Sequence, residues 1–134
     1  MRRLLTLMGV PVVEAPGEAE AQCAILCRAG LVYATATEDM DALTFGSTKM
    51  VRNMTVAASK KLPIVEIDLQ KALSELQMTQ DQFIDLCILL GCDYTDRIRG
   101  VGPNKALTLM KEYKTIEEGL KHLDKKKFMY VKCV

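Results

Sequence analysis

The sequence predicts an α/β fold: a layered domain with a mainly parallel sheet, followed by a helical region. Three observations carry this. Short apolar, β-branched runs alternate with helical stretches as far as Leu90, glycine turns separate helices from Gly91 on, and the charge changes sign near the same place. There are 8 basic and 12 acidic residues through Asp93 (net −4), against 10 basic and 5 acidic from Tyr94 onward (net +5). An acidic half able to collect cations thus precedes a basic half able to collect phosphates.

Leu4, Leu5, Leu7 and Met8 read as the last turns of a helix stopped by Gly9, so the chain is expected to begin inside an element. Residues 11–14 predict a short strand and 15–17 a turn. Residues 18–28 predict a helix ended by Gly30, with acids at its positive N-terminus. The run 31–36 has the composition of a buried strand. Residues 48–53 and 64–67 predict two further strands, Leu69–Leu76 a helix, and Thr79 the cap of another helix reaching Leu90. In the second region, 103–111 and 116–123 are helical, and the Lys125-Lys126-Lys127 tail is a surface end. The organisation expected is residues 1–90 as the α/β region, 91–124 as the helical region and 125–134 as a basic tail.

With 134 residues, 49% of them apolar, the chain suffices for one modest domain with an aliphatic core. Its five cysteines, odd in number and without C-x-x-C spacing, argue against a disulfide framework and against a zinc site, and so for a reducing compartment. Cys23 and Cys27, four apart on one helix, read as buried small hydrophobes. No run of about 18 apolar residues and no signal-peptide pattern occurs, which excludes membrane insertion. The single histidine, His122, falls in the basic part and is expected in solvent.

Glu18, Glu20, Asp39, Asp41 and Asp93 form three acidic clusters among small or apolar residues: Ala-Pro-Gly-Glu-Ala-Glu-Ala, Ala-Thr-Glu-Asp-Met-Asp-Ala-Leu and Leu-Leu-Gly-Cys-Asp-Tyr. Brought together, such carboxylates need a divalent cation, and oxygen-only ligands point to magnesium or manganese. Asp39 and Asp41, two apart at the end of an extended segment, would project to one side and share an ion; an Asx turn is the plainer alternative. Glu18 and Glu20 converge if the helix starts at Pro16-Gly17, where acids also simply favour a helix N-terminus. Asp93 leaves an apolar helix just after Gly91. The set fits a two-metal phosphoryl-transfer site, with ions about 4 Å apart and no Ser, Cys or His nucleophile. Arg97-Ile-Arg-Gly-Val-Gly-Pro-Asn-Lys105 adds a helix-hairpin-helix signature: Gly100 and Gly102 allow a sharp turn, Pro103 opens a helix, and the free amides there suit a phosphate. A metal-dependent phosphatase or sugar transferase is disfavoured, since Asp39-Met-Asp41 lacks the following Thr of the phosphatase pattern.

With these motifs in order, the sequence resembles the XPG-type 5′ nucleases, the flap structure-specific endonucleases, from Leu4 to about Leu123. The resemblance implies a partial PIN-like nuclease core and a DNA-gripping region of the 5′-3′ exonuclease C-terminal type. It implies a nuclear, magnesium-dependent enzyme of replication and repair that cuts 5′ flaps of branched DNA and acts as a 5′-3′ exonuclease. Glu18 and Glu20 would hold one Mg2+, and Asp39, Asp41 and Asp93 the other, with Mn2+ as a substitute. Glu18, Gly91 and Asp93 would lie against the DNA, and the turn of Arg97, Gly100, Gly102 and Lys105 would grip the duplex with an associated K+. Family members carry two further metal-binding aspartates and a basic helical arch upstream, and a peptide that binds the sliding clamp; none of these is in this sequence, and Asn104 stands where lysine is common. The portion represented here is therefore expected to cut weakly or not at all by itself, and a catalytically silent DNA-binding module is the alternative reading.

Overall fold

The computed structural model describes residues 1–60, 62–95 and 98–122; Arg97, Leu123 and the tail 125–134 lie outside the described residues. The chain divides into two compact units, Met1–Glu66 and the part from Ile67 on.

In the first unit, α1 (Arg2–Leu7) is stopped at Gly9, and α2 (Ala19–Arg28) runs from its N-cap Glu18 to the turn at Gly30. β1 (Thr35–Ala36) and β2 (Lys49–Arg52) pair in parallel, Thr35 opposite Met50 and Ala36 opposite Val51. A parallel pair needs a crossover, and the one here contains α3 (Asp41–Thr44), a single turn. With β3 (Val65–Asp68) the strand order is β1-β2-β3. α2 packs on β1 and α3. Ala24 and Ala42, both 0% exposed, are small enough to let α2 and α3 approach closely, and Met50 of β2 is buried as well. At the strands' N-terminal ends, Tyr33 OH donates to Glu66 Oε2 (2.8 Å) and accepts from Lys49 Nζ (3.0 Å), so Tyr33, two residues ahead of β1, is tied to β2 and β3.

Two expected strands differ. Among the described residues, 11–14 join no ladder, and Val12 and Val13 are exposed; an isolated extended segment has nothing to satisfy its amides but water. The 31–36 run is a strand only at Thr35–Ala36, with Leu31, Val32 and Tyr33 exposed ahead of it. Its partner β2 begins at Lys49 and pairs through Met50 and Val51, so the ladder reaches back only to Thr35. Cys27 is buried as expected but Cys23 is exposed, because the buried stripe of α2 runs through Ala24 and Cys27. The helical turn α3 was not expected from sequence.

In the second unit, Asp68 caps α4 (Leu69–Leu76) by accepting from Lys71 N–H, and Thr79 caps α5 (Gln80–Leu90) through a reciprocal capping box with Gln82. α6 (Pro103–Tyr113) and α7 (Ile116–Lys121) follow, and α5, α6 and α7 pack pairwise. Their core contains Leu86 and Leu89 from α5, Ala106, Leu109 and Met110 from α6, and Met78 and Val101 from the connections. His122 is exposed, with its ring stacked on Tyr113 at 4.3 Å. No described helix is long and apolar enough to cross a membrane.

Candidate functional site

In the first unit, Glu18 is extended (φ −63°, ψ 127°) ahead of α2 and its side chain makes no capping bond, while Glu20 lies half-buried in the first turn. The positive end of the helix favours both carboxylates. The opposite end of α2 is pinned by Cys27, whose Sγ lies 3.8 Å from Tyr33 O, 3.2 Å from Thr48 Oγ1 and 3.7 Å from Lys49 O, at the N-terminal ends of β1 and β2. Burial pushes the Cys27 thiol up, yet hydrogen bonds with Ser47, Thr48 and Lys49 together leave it below the ordinary thiol value.

Asp39 and Asp41 follow the C-terminal end of β1, but not in an extended segment as expected. Thr37 N–H reaches Val51 O (3.1 Å), Thr37 Oγ1 accepts from Asp39 N–H (3.1 Å), and Asp39 Oδ1 accepts from Asp41 N–H (3.0 Å). That is an Asx turn, and it launches α3. The short aspartate side chain captures the amide two residues on, which curls the backbone and removes the strand alternation. Asp39 is exposed and Asp41 half-buried. Glu38, which sequence reasoning did not single out, accepts from Asn53 N–H (2.6 Å) and from Arg52 Nε (3.3 Å), and so ties this turn to the end of β2. Its place beside Asp39 was visible; the strand end that it faces was not.

In the second unit, Gly91 ends α5 with φ 93°, a left-handed conformation open to glycine. Cys92 and Thr95 then exchange backbone bonds (3.1 and 3.3 Å), leaving Asp93 and Tyr94 exposed at the tip of a tight turn. Farther on, Gly100 takes φ 84° while Val101, only 5% exposed, anchors the turn in the core. Gly102 is the N-cap of α6, with Pro103 at its first position. Ile98, Arg99, Gly100, Val101 and Gly102 line an open depression of about 500 Å³. A Cβ at Gly102 would meet nothing within 4 Å, so the helix start faces open space. Lys105 is exposed in the first turn.

Glu18 thus shares one helix start with Glu20, and Asp39 one turn with Asp41. Gly91 and Asp93 belong to one turn, and Gly100, Gly102 and Lys105 to one helix entrance. Among the described residues no three His, Cys, Asp or Glu side chains stand preassembled as a metal cluster. Like charges favour separation when no cation lies between them. The donor chemistry nonetheless suits a hard divalent ion, since these site acids offer only oxygen. Asp85, another residue that sequence reasoning passed over, lies half-buried in α5 and accepts from Ile116 N–H at 3.0 Å. Its signal was present: an acid inside the apolar run Ile-Asp-Leu-Cys-Ile-Leu-Leu needs a partner.

The chain matches the family model of the XPG I-region over residues 9–93. It is 61% identical over 127 residues to Flap endonuclease 1 of Branchiostoma floridae, covering 95% of this chain and 33% of that protein. To Flap endonuclease 1 of Yarrowia lipolytica it is 60% identical over 124 residues, covering 92% of this chain and 32% of that protein. Among solved structures, flap endonuclease-1 from Methanococcus jannaschii has a TM-score of 0.82 at 34% identity, over 94% of this chain and 39% of that one. A catalytic core of Rad2 in complex with DNA substrate has a TM-score of 0.80 at 35% identity, over 90% of this chain and 39% of that one. The chain spans about a third of the length of these curated relatives. With more than half of its residues inside the family match, carrying three of the four motifs read from the sequence and the Asx turn and helix start seen in the structure, the chain belongs to the XPG I-region family.

Proposed function

We propose that the protein carrying this chain is a magnesium-dependent, structure-specific nuclease that cleaves 5′ flaps of branched DNA and degrades DNA from 5′ ends in nuclear replication and repair. The observation that carries this reading is the 61% identity, across 95% of the chain, to a relative named Flap endonuclease 1. The geometry supports it. Cys27 pins the C-terminal end of α2 at the N-terminal ends of the strands. Ten residues at about 1.5 Å each make α2 about 15 Å long, enough to carry Glu18 and Glu20 toward the side where β1 delivers Asp39 and Asp41. That is the side on which open α/β sheets place their ligands.

In this reading Glu18, Glu20, Asp39 and Asp41 hold magnesium, with manganese as a substitute. Asp93 joins them on the strength of the family resemblance, as do the contacts of Glu18, Gly91 and Asp93 with DNA. Bound magnesium supplies an acidified water and charge neutralisation at the attacking and leaving oxygens. The chain's own residues position these charges: the Asx turn and the Glu38 contacts hold the Asp39–Asp41 backbone, and the α2 dipole holds Glu18 and Glu20. The entrance to α6 grips phosphates through backbone amides, Arg99 and Lys105, with Arg97 and a K+ ion assigned to the same turn. Residues 1–90 serve the nuclease core and 91–124 the DNA grip. A sliding clamp is the partner assigned to the complete protein.

Two measurements bear on this. The protein carrying this chain should cut a labelled 5′-flap substrate with magnesium and not with EDTA; binding without magnesium-dependent cutting would leave only the DNA-binding module. Arg99→Ala and Lys105→Ala should weaken binding on all sequences alike. Each should reduce the slope of log affinity against log salt by about one. An unchanged slope would remove these side chains from the phosphate grip.

A further inference from the structure

We infer that Asp85 is a positioning residue for the DNA grip: by accepting from Ile116 N–H it locks the exit of α6 to α5 and so holds the α6 entrance in its binding orientation. This rests on the reading that the α6 entrance binds DNA. Asp85 stands on the middle of α5, 31 residues from its partner, and the contact is 3.0 Å with Asp85 half-buried. Ile116 is the first residue of α7, whose N-terminus has two side-chain acceptors among the described residues: Thr115 Oγ1 takes Glu118 N–H and Asp85 takes Ile116 N–H. A carboxylate accepting a helix N-terminal amide is a charge-assisted bond, favoured further by the helix dipole.

The position of this bond gives it a role beyond stability. α6 leaves through Lys114, held left-handed at φ 64°, and re-enters helix at once as α7. The segment that Asp85 holds is therefore the far support of α6, and the near support is the buried Val101 before its entrance. α6 packs on both α5 and α7, so freeing the start of α7 lets α6 shift as a lever and moves Gly102 and Lys105 at its other end. α5 in turn ends at Gly91 and the Asp93 turn. One hydrogen bond thus ties α5, the helix that delivers Asp93, to the start of α7, directly after the helix that presents its N-terminus to phosphates.

The test uses the protein carrying this chain, with Asp85→Ala and Asp85→Asn beside the wild type, at a temperature where all three are folded by circular dichroism. Flap affinity is measured in EDTA and steady-state cleavage in magnesium. Loss of the tie should raise the dissociation constant of Asp85→Ala three- to tenfold, less than the full worth of a charge-assisted bond because only part of it is transmitted along α6 to the binding end. KM should rise in parallel, with kcat within about twofold of wild type on the same scale. Asp85→Asn keeps a carbonyl oxygen for Ile116 N–H and should stay within about twofold of wild type in affinity. A bond serving only stability would lower the melting temperature of Asp85→Ala and leave its affinity unchanged, which overturns the proposal. Equal losses in Asp85→Asn and Asp85→Ala overturn it too, because charge rather than the tie would then matter. A wild type that binds but does not cut removes the nuclease reading while the affinity comparison still decides this one; a wild type that does not bind removes both.

Discussion

Replacing Asp39 or Asp41 by alanine should lower the rate of flap cleavage by about 10² to 10³-fold, the scale of losing one preorganised charge-stabilising group, while flap affinity stays within about threefold. The asymmetry follows from where the two functions lie. The Asx turn after β1 carries carboxylates and repels phosphates on its own, so its removal costs the grip nothing. The α6 entrance carries backbone amides and cations, and binds without the acids. Asp39→Ala should carry a structural penalty as well, because its Oδ1 accepts from Asp41 N–H and its loss releases the start of α3. Asp39→Asn keeps that acceptor and separates the turn from the charge: wild-type folding with lost cleavage is the expected pattern. The comparison is single-turnover cleavage against binding in EDTA, and parallel losses of cutting and binding would end the division of labour between the two regions.

Leu89→Ala should destabilise the second unit by about 2–5 kcal/mol, the range for a large-to-small change in a packed core. Leu89 is 2% exposed on α5, in the cluster with Leu86, Leu109 and Met110. Domains of this size are stable by roughly 5–15 kcal/mol, so the change consumes a large part of the total. The three packed helices have little means of closing the gap, because Ala106, at 0% exposure, already sets the closest approach of α6. Urea unfolding followed by helix signal measures the effect; a shift under about 1 kcal/mol would mean that α5 and α6 relax into the cavity.

Helices were the legible part of the chain, because their signals are local. Thr79 with Gln82 three residues later, Asp68 before Leu69, and Pro103 after Gly102 each mark a start that the structure places at that residue. Strands were legible only where a partner exists. The apolar run 31–36 looks like a strand throughout, yet pairing is a property of two segments, and β2 reaches only Thr35 and Ala36. The candidate acids could be found from their apolar surroundings, and so could the glycine turns. The side chains that hold them were harder: Glu38 looks like one more acid of its cluster, and Asp85 like an anomaly in a helix, until Asn53 and Ile116 appear across from them.

The burial of Cys27 beside the exposed Cys23 gives the first unit a gauge of its own breathing. A thiol reagent reaches Cys23 directly on the surface of α2, whereas Cys27 is 3% exposed and its sulfur is engaged with Thr48 and with carbonyls at the strand starts. Alkylation at Cys27 therefore requires α2 to lift from those strands, and its rate relative to Cys23 reads the free energy of that local opening. Once exposed, Cys27 has left the hydrogen bonds that shift it and reacts as an ordinary thiol, so slow labelling reflects access rather than chemistry. Followed by mass spectrometry during DNA or magnesium titration, the same ratio reports whether ligands tighten the helix that presents Glu18 and Glu20.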